Sequence, residues 1–316
     1  MHRPRLIRVA REDPAAVRAG LLRALAANPP AISPKHLYDA VGSRLFAAIT
    51  ELPEYYPTRT EGEILARHAE DIAAALPPVE AMIDLGAGDC GKAQRLFRPL
   101  GVKRYVAVDI SVEWLERALD LLGLRYPALE LIGVGMDFST RLALPAEAGG
   151  GPRLIFYPGS SIGNFTPEQA LGFLRQVHGA CQGGGLLIGV DLVKPAGILE
   201  PAYDDALGVT AAFNRNLLRH VNRLAGTDFE LADWRHVAFY DGARSRIEMH
   251  LEAVRDVTVR WAHGQRRFAR GERIHTESSY KWRAGDFALL LQSAGFSAIR
   301  HWSDERGWFA VFLARS

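Results

Sequence analysis

Three glycines stand as G-x-G-x-x-G in Gly86-Ala-Gly88-Asp-Cys-Gly91, directly after the apolar run Ala81-Met-Ile-Asp-Leu85. Glycines at that spacing let a turning backbone approach a nucleotide closely. Asp109 ends the next apolar run, Tyr105-Val-Ala-Val-Asp109, where a carboxylate can accept both hydroxyls of a ribose. Asp137-Phe138 closes a third run; the acid there can take an adenine amino group and the aromatic can pack on the ring. Asn164, in Gly-Ser-Ser-Ile-Gly-Asn-Phe-Thr-Pro, offers an amide oxygen to an N–H, or makes an Asx-turn ahead of Thr166. Capping is the alternative role for Asp84, Asp109 and Asp137. Cys90 and Cys181 are too few for a disulfide framework or a thiolate zinc site, and no H-x-H or H-E-x-x-H pair indicates a metal centre.

The elements needed to hold these residues follow from periodicity. Strands at 81–85, 105–109, 129–134, 154–157 and 186–193 alternate with helices at 91–99, 113–122 and 167–180, which argues a parallel α/β sheet. A further helix is expected from about Thr60, capped by Thr60 or Thr58. Helices at 14–28, with Asp13 as N-cap, and at 36–50 precede it. After 193 the pattern changes. Residues 197–224 read as one long helical region. Residues 246–254 alternate with Ile247, Met249, Leu251 and Ala253 on one face and Glu248, His250 and Glu252 on a wet one. Val257–Trp261 and Arg266–Arg270 read as a hairpin through His263-Gly264. A helix at 286–294 and strands at 297–302 and 308–314 finish the chain.

The glycine fingerprint alone fits both NAD enzymes and S-adenosylmethionine (SAM) methyltransferases. Three features favour SAM. Asp84 stands two residues before the first glycine, where methyltransferases of this fold keep an acid. Asp109 is placed for a ribose. The closing helix–strand–turn–strand gives an antiparallel last strand, as methyltransferases finish their sheet. The expected fold is therefore α/β: a Rossmann-like SAM methyltransferase sheet with an antiparallel last strand, plus a second, mixed α+β substrate-binding domain. The core spans 60–193 and 282–316, and the second domain 1–59 and 194–281. A cleft between them would face the carboxyl ends of the core strands.

The 316 residues are 48% hydrophobic and 23% charged, a composition that excludes a disordered chain. Thirty-eight basic against 36 acidic residues give a net charge of +2, so no global field draws the chain to nucleic acid or an anionic membrane. Basic residues are dense at 3–23 and 255–273 without interleaved aromatics in number, which reads as solvated surface. The most apolar run, Gly185–Val193, contains Asp191 and is too short to span a bilayer. The N-terminus lacks the apolar stretch of a signal peptide. The expectation is a soluble, cytoplasmic enzyme with a small-molecule substrate and no nucleic acid, membrane or obligate protein partner.

Longer blocks are more specific than the fingerprint. SPKHLYDAVGSRLFAAITELPEYYPTRTE (33–61), GSSIGNFTP (159–167), DLVK (191–194), AYDDALGVTAAFNRN (202–216), RIEMHLEA (246–253) and TESSYKW (276–282) resemble the L-histidine Nα-methyltransferases of ergothioneine biosynthesis, a SAM-dependent family. The similarity covers nearly the whole chain after residue 15. It implies that Tyr38 and Tyr203 hold the substrate carboxylate and Asn164 the α-amino group, with Tyr55 beside the imidazole and a water. Phe46 and Met249 would line the pocket, and Glu277 and Ser279 would read the imidazole nitrogens. Gly86, Lys92, Asp109, Asp137 and Phe138 would bind SAM. Asn164 and Tyr55 would be the catalytic pair. Met249 also alternates with Ile247 and Leu251 as a core residue would, and Ser278 replaces an aliphatic residue of the relatives.

The implied reaction is trimethylation of the histidine α-amino group to hercynine. The family also includes enzymes for other aromatic amino acids, so tryptophan or tyrosine is the alternative substrate. An NAD(P)-dependent oxidoreductase would rest on the fingerprint alone. A non-catalytic SAM-binding protein would keep Asp109 but lose Asn164, Tyr38 and Glu277, all of which are present.

Overall fold

The computed structural model describes residues 3–9 and 13–316; residues 1–2 and 10–12, at the start of the expected second domain and partly within the basic stretch, lie outside the described residues. In chain order the strands and α-helices are β1 (Arg5–Arg8), α1 (Pro14–Ala26), α2 (Ala40–Thr50), α3 (Tyr56–Ala75), β2 (Ala81–Leu85), α4 (Gly91–Phe97), β3 (Arg104–Asp109), α5 (Val112–Arg125), β4 (Glu130–Gly135), β5 (Arg153–Tyr157), α6 (Pro167–Cys181) and β6 (Gly185–Asp191). They continue as α7 (Ala196–Leu199), α8 (Val209–Ala225), β7 (Trp234–Asp241), β8 (Arg246–Ala253), β9 (Val257–Trp261), β10 (Gly264–Phe268), β11 (Arg273–Tyr280), α9 (Ala284–Ser293), β12 (Ser297–Ser303) and β13 (Phe309–Arg315). The described residues form two compact units, one of 3–9, 57–193 and 280–316, the other of 13–56 and 194–279.

The first unit is an eight-stranded sheet in the order β1-β4-β3-β2-β5-β6-β13-β12. β1 to β6 pair parallel, and β13 runs against both β6 and β12. Helices cover both faces. Phe173 and Leu174 of α6 and Phe287 and Leu291 of α9 pack with Ile83, Val106 and Ile155 on one. Leu65 and Ile72 of α3, Leu96 of α4 and Leu115 of α5 pack with Met82, Tyr105 and Phe156 on the other. Strands buried on both faces explain the continuous apolar runs in the sequence. The order reverses between β2 and β5, so the loops leaving β2, β3 and β5 open at a topological switch point.

Two expectations change here. Residues 3–9 do not group with the second unit: β1 pairs with β4 as an edge strand, Arg5 opposite Ile132. Four residues, the middle two half-buried and the outer two exposed, carry too little pattern to be read beforehand. α3 begins at Tyr56, so Thr58 and Thr60 lie inside the helix rather than capping it, and Thr60 is buried.

In the second unit α1, α2 and α8 pack beside a three-stranded sheet, β11-β8-β7, and a hairpin, β9-β10. Asp13 caps α1 by accepting the Ala15 N–H at 3.0 Å. The long helical region is broken. Asp205 accepts the N–H groups of Val209 (2.9 Å) and Thr210 (2.7 Å), fixing the start of α8 after Gly208 at φ +75°. The hairpin's second strand begins two residues earlier than expected, with Gly264 opposite Trp261; a Cβ there would meet the indole. The supposed wet face of β8 is also a correction. Glu248 and Glu252 are buried, because Arg246 and His250 cover the first and Arg235 and Arg273 the second. Long guanidinium side chains thus bury the carboxylates they pair.

Candidate active site

The loop leaving β2 turns through positive φ at Gly86 (+74°), Gly88 (+54°) and Cys90 (+61°). A Cβ built on Gly88 would meet nothing within 4 Å, and one on Gly86 would lie 4.0 Å from the Phe138 ring. The backbone is therefore open on one side and bordered by Phe138, a cradle suited to a nucleoside. Asp109, half-buried at the end of β3, accepts the Gly88 N–H at 3.0 Å and the Ser111 N–H at 2.8 Å. Burial raises its pKa, and these two amides oppose the rise. Each oxygen keeps a second lone pair for a hydroxyl donor. Asp137 accepts the Ser139 N–H at 2.9 Å and its hydroxyl at 2.5 Å, which fixes the carboxyl beside Phe138. These residues fit SAM: an open glycine turn, an acid at the ribose position, and an acid–aromatic pair for the base.

Beneath the loop lies Asp84, 1% exposed. Its Oδ2 accepts the Tyr105 hydroxyl at 2.6 Å, and its Oδ1 has no hydrogen-bond partner. Burial lifts its pKa to about 7, against the lowering effects of the Tyr105 hydroxyl and the Lys92 charge. Asp84 is thus tied to Tyr105 of the neighbouring strand β3, two residues before the glycine turn.

Lys92, in the first turn of α4, points its Nζ to Glu61 at 2.5 Å. Glu61 is fully buried and accepts the Gly159 N–H with both oxygens, at 2.9 and 3.0 Å. Gly159 (φ +79°) begins the loop that leaves β5 and carries Asn164. The next residue, Ser160, accepts the Asp191 N–H at 2.9 Å through its hydroxyl. Asn164 ends a short 3₁₀ turn, Ser161–Asn164, and is half-buried. The cap of α6 is made by Thr166 and Gln169 in a reciprocal capping box.

In the second unit five of the expected substrate residues meet. Tyr38 packs edge-on to Phe46 at 5.5 Å, Phe46 to Tyr55 at 6.1 Å, and Tyr55 to Tyr203 at 6.3 Å. The Tyr203 hydroxyl and Ser279 Oγ are 2.8 Å apart. Phe213 of α8, which pattern alone assigned to nothing but helix, closes the aromatic set against Tyr38 (5.5 Å) and Phe46 (6.0 Å). Glu277 stands two residues before Ser279 on β11, so it shares that face of the strand, and it is 7% exposed. Met249 is buried on β8, and its carbonyl accepts the Thr276 hydroxyl at 3.0 Å.

Each of these side chains is held locally. Asp39, next to Tyr38, caps α2 through the Gly42 N–H (2.8 Å) and accepts Asn216 Nδ2 from α8 (2.8 Å). Asn214 Nδ2 donates to His236 Nδ1 at 2.9 Å, which leaves the His236 Nε2–H to donate to the Tyr203 carbonyl at 2.8 Å. That is the neutral tautomer, and burial holds the His236 pKa below its usual value. Lys194 donates to the Tyr56 hydroxyl at 2.8 Å and lies 4.6 Å from that ring's centre. Glu61, Asn214 and Asn216 were missed as site residues because polar positions on helices read as solvated surface; Phe213 carried no more than a helical pattern, and His236 lies on β7, which the sequence pattern did not reveal. The 33–61 and 202–216 blocks contain all of them but His236.

Comparison with known proteins agrees with this geometry. The family described as histidine-specific methyltransferase, SAM-dependent, matches residues 15–316. The histidine N-alpha-methyltransferase of Mycolicibacterium smegmatis is 42% identical over 306 residues, 94% of this chain and 93% of that protein. The histidine N-alpha-methyltransferase of Mycobacterium tuberculosis is 39% identical, over 95% of this chain and 94% of its own length. Ergothioneine biosynthesis protein 1 of Neurospora crassa is 32% identical across 89% of this chain, which spans 32% of that longer protein.

Proposed function

Because this chain belongs to the histidine-specific, SAM-dependent methyltransferase family, we propose that it trimethylates the α-amino group of L-histidine to hercynine, the ergothioneine precursor. Gly86, Lys92, Asp109, Asp137 and Phe138 are the proposed SAM residues. Bound SAM supplies an activated methyl carbon, so the protein need not form a covalent intermediate. The remaining work falls on residues that bind and orient the amino acid. Tyr38 and Tyr203 take the carboxylate, Asn164 orients the α-amino group, and Tyr55 lies beside the imidazole. Phe46 and Met249 line the pocket, and Glu277 and Ser279 read the two ring nitrogens.

The α-amino group must be neutral to react, and an α-amine ordinarily titrates near ~8 or above. Asn164 accepts from an N–H through its amide oxygen, which orients the lone pair without supplying a proton acceptor of high basicity. Positioning of this kind can supply roughly 7–11 kcal/mol of barrier lowering.

The observation that carries the substrate reading is the joined set Tyr38, Phe46, Tyr55, Tyr203 and Ser279, with buried Glu277 on the Ser279 face. An imidazole N–H is a suitable donor to a carboxylate held in this pocket. Phenylalanine offers no such donor and tyrosine offers one of different reach, so a polar site of this kind discriminates more sharply than an apolar one. The test compares kcat/KM for histidine, tryptophan and tyrosine in the wild type and in Glu277→Ala. The variant should lose histidine turnover and narrow the gap between the three. Full histidine preference in the variant would remove Glu277 from the reading.

A further inference from the structure

We infer that Glu61 is a positioning residue that fixes the helix after the glycine turn relative to the loop that carries Asn164. The inference rests on the cofactor and acceptor roles proposed above for the first unit. Glu61 lies on α3, outside both segments, and is 0% exposed. One oxygen meets Lys92 Nζ at 2.5 Å, at the start of α4. Both oxygens accept the Gly159 N–H, at 2.9 and 3.0 Å. One carboxylate therefore joins residue 92, just past the glycine turn, to residue 159, where the acceptor loop begins.

The surrounding chain is shaped to admit this group. A Cβ on Gly189, in β6, would lie 1.8 Å from Glu61 Oε1, so the strand leaves a slot where any side chain would displace the carboxylate. A charge with no water contact persists only where its partners satisfy it, and here those partners are the two elements it joins. The acceptor loop is tied a second time through Ser160 to the Asp191 amide. Two successive anchors fix the entry of a loop whose far end is Asn164.

Chemistry at an oriented amine is sensitive to such placement, since a shift of about 1 Å can cost on the order of a hundredfold in rate. The consequence is a coupling that neither SAM residues nor acceptor residues would produce alone. Loss of Glu61 loosens both segments at once, and it does so through Lys92 and Gly159 rather than through contact with either substrate.

The test uses the full chain with Glu61→Gln, Lys92→Met and the double variant. Amide hydrogen exchange at Gly159, measured without any substrate, reads the anchor directly. Calorimetry with S-adenosylhomocysteine reads the cofactor side, and kcat at saturating histidine reads the acceptor side. Glu61→Gln should speed Gly159 exchange at least tenfold, weaken S-adenosylhomocysteine at least fivefold and lower kcat at least tenfold. The histidine KM should stay within threefold. The double variant should be no worse than the poorer single, because the two side chains act as one unit. Wild-type exchange and wild-type kcat in folded Glu61→Gln would overturn the inference, as would additive losses in the double variant. If Glu61→Gln does not fold, Lys92→Met decides from the half-buried end of the pair: unchanged Gly159 exchange there overturns the inference. The exchange measurement needs neither SAM nor histidine, so a wrong substrate assignment leaves it intact.

Discussion

Tyr203 and Ser279, 76 positions apart in the chain, share a 2.8 Å hydrogen bond between their hydroxyls. Tyr203 sits in the break between α7 and α8, and Ser279 near the end of β11. The bond aligns two residues proposed to bind opposite ends of one amino acid. Tyr203→Phe removes the bond and one ligand for the carboxylate while keeping the ring contact to Tyr55. A net loss of about 1–2 kcal/mol should raise the histidine KM roughly five- to thirtyfold. Steady-state kinetics checks it, with S-adenosylhomocysteine affinity by calorimetry expected to stay within twofold. An equal loss of both affinities would give Tyr203 a general structural role instead.

Asp109 holds the glycine turn through Gly88 as well as facing the proposed ribose position. Asp109→Ala should therefore weaken SAM by ~1.5–3 kcal/mol, roughly ten- to more than a hundredfold. Asp109→Asn keeps an acceptor but loses the charge and should fall between alanine and wild type. Isothermal titration measures both. Unchanged affinity in folded Asp109→Ala contradicts the cofactor assignment.

Asn164→Ala should cut kcat strongly, with SAM affinity retained, because α6 is capped by Thr166 and Gln169 and does not depend on Asn164. Rapid-quench turnover with calorimetry on the same preparation separates the two quantities. A parallel loss of both would mean that Asn164 supports the loop rather than the amine.

Asp84 carries a pH signature. Burial raises its pKa from the ordinary carboxyl range to about 7 in the folded chain. Between ~4 and 7 the folded state then binds more protons than the unfolded state, so this residue makes stability fall as pH rises through that window. The penalty is complete above about 7. Asp84→Asn keeps an oxygen for the Tyr105 hydroxyl and cannot ionise. Its stability relative to wild type should improve as pH is raised from 5 to 8, in urea titrations at each pH. A constant difference across the range would show that Asp84 does not titrate there.

The sheet was legible because it is buried on both faces. The runs at 81–85, 105–109 and 154–157 each ended where a glycine, a carboxylate or a turn had to follow; the first two ends carry residues proposed for the cofactor, and the third leads into the loop of Asn164. The substrate unit was less legible. β7 and β11 were not recognised, since Trp234–Asp241 and Arg273–Tyr280 mix charged and apolar residues without a clean alternation, β7 being mostly half-buried and β11 mostly buried. The α7–α8 break was hidden in a helical composition, and only the Asp205 cap and Gly208 define it. Glu61 carried no local signal, because a glutamate inside a helix reads as surface until the slot at Gly189 is seen. Asn164 was singled out by its loop after the fourth strand, whereas Tyr38, Glu277 and Ser279 came from resemblance in long blocks, not from periodicity.

The central claim is that the chain methylates the α-nitrogen of histidine. Purified protein given SAM and an equimolar mixture of the twenty amino acids tests it most directly, with products followed by mass spectrometry. The account predicts histidine bearing one, two and finally three methyl groups, all on the α-nitrogen by fragmentation, ahead of any other amino acid. Preferential methylation of tryptophan or tyrosine, or histidine methylated on its ring, would contradict it.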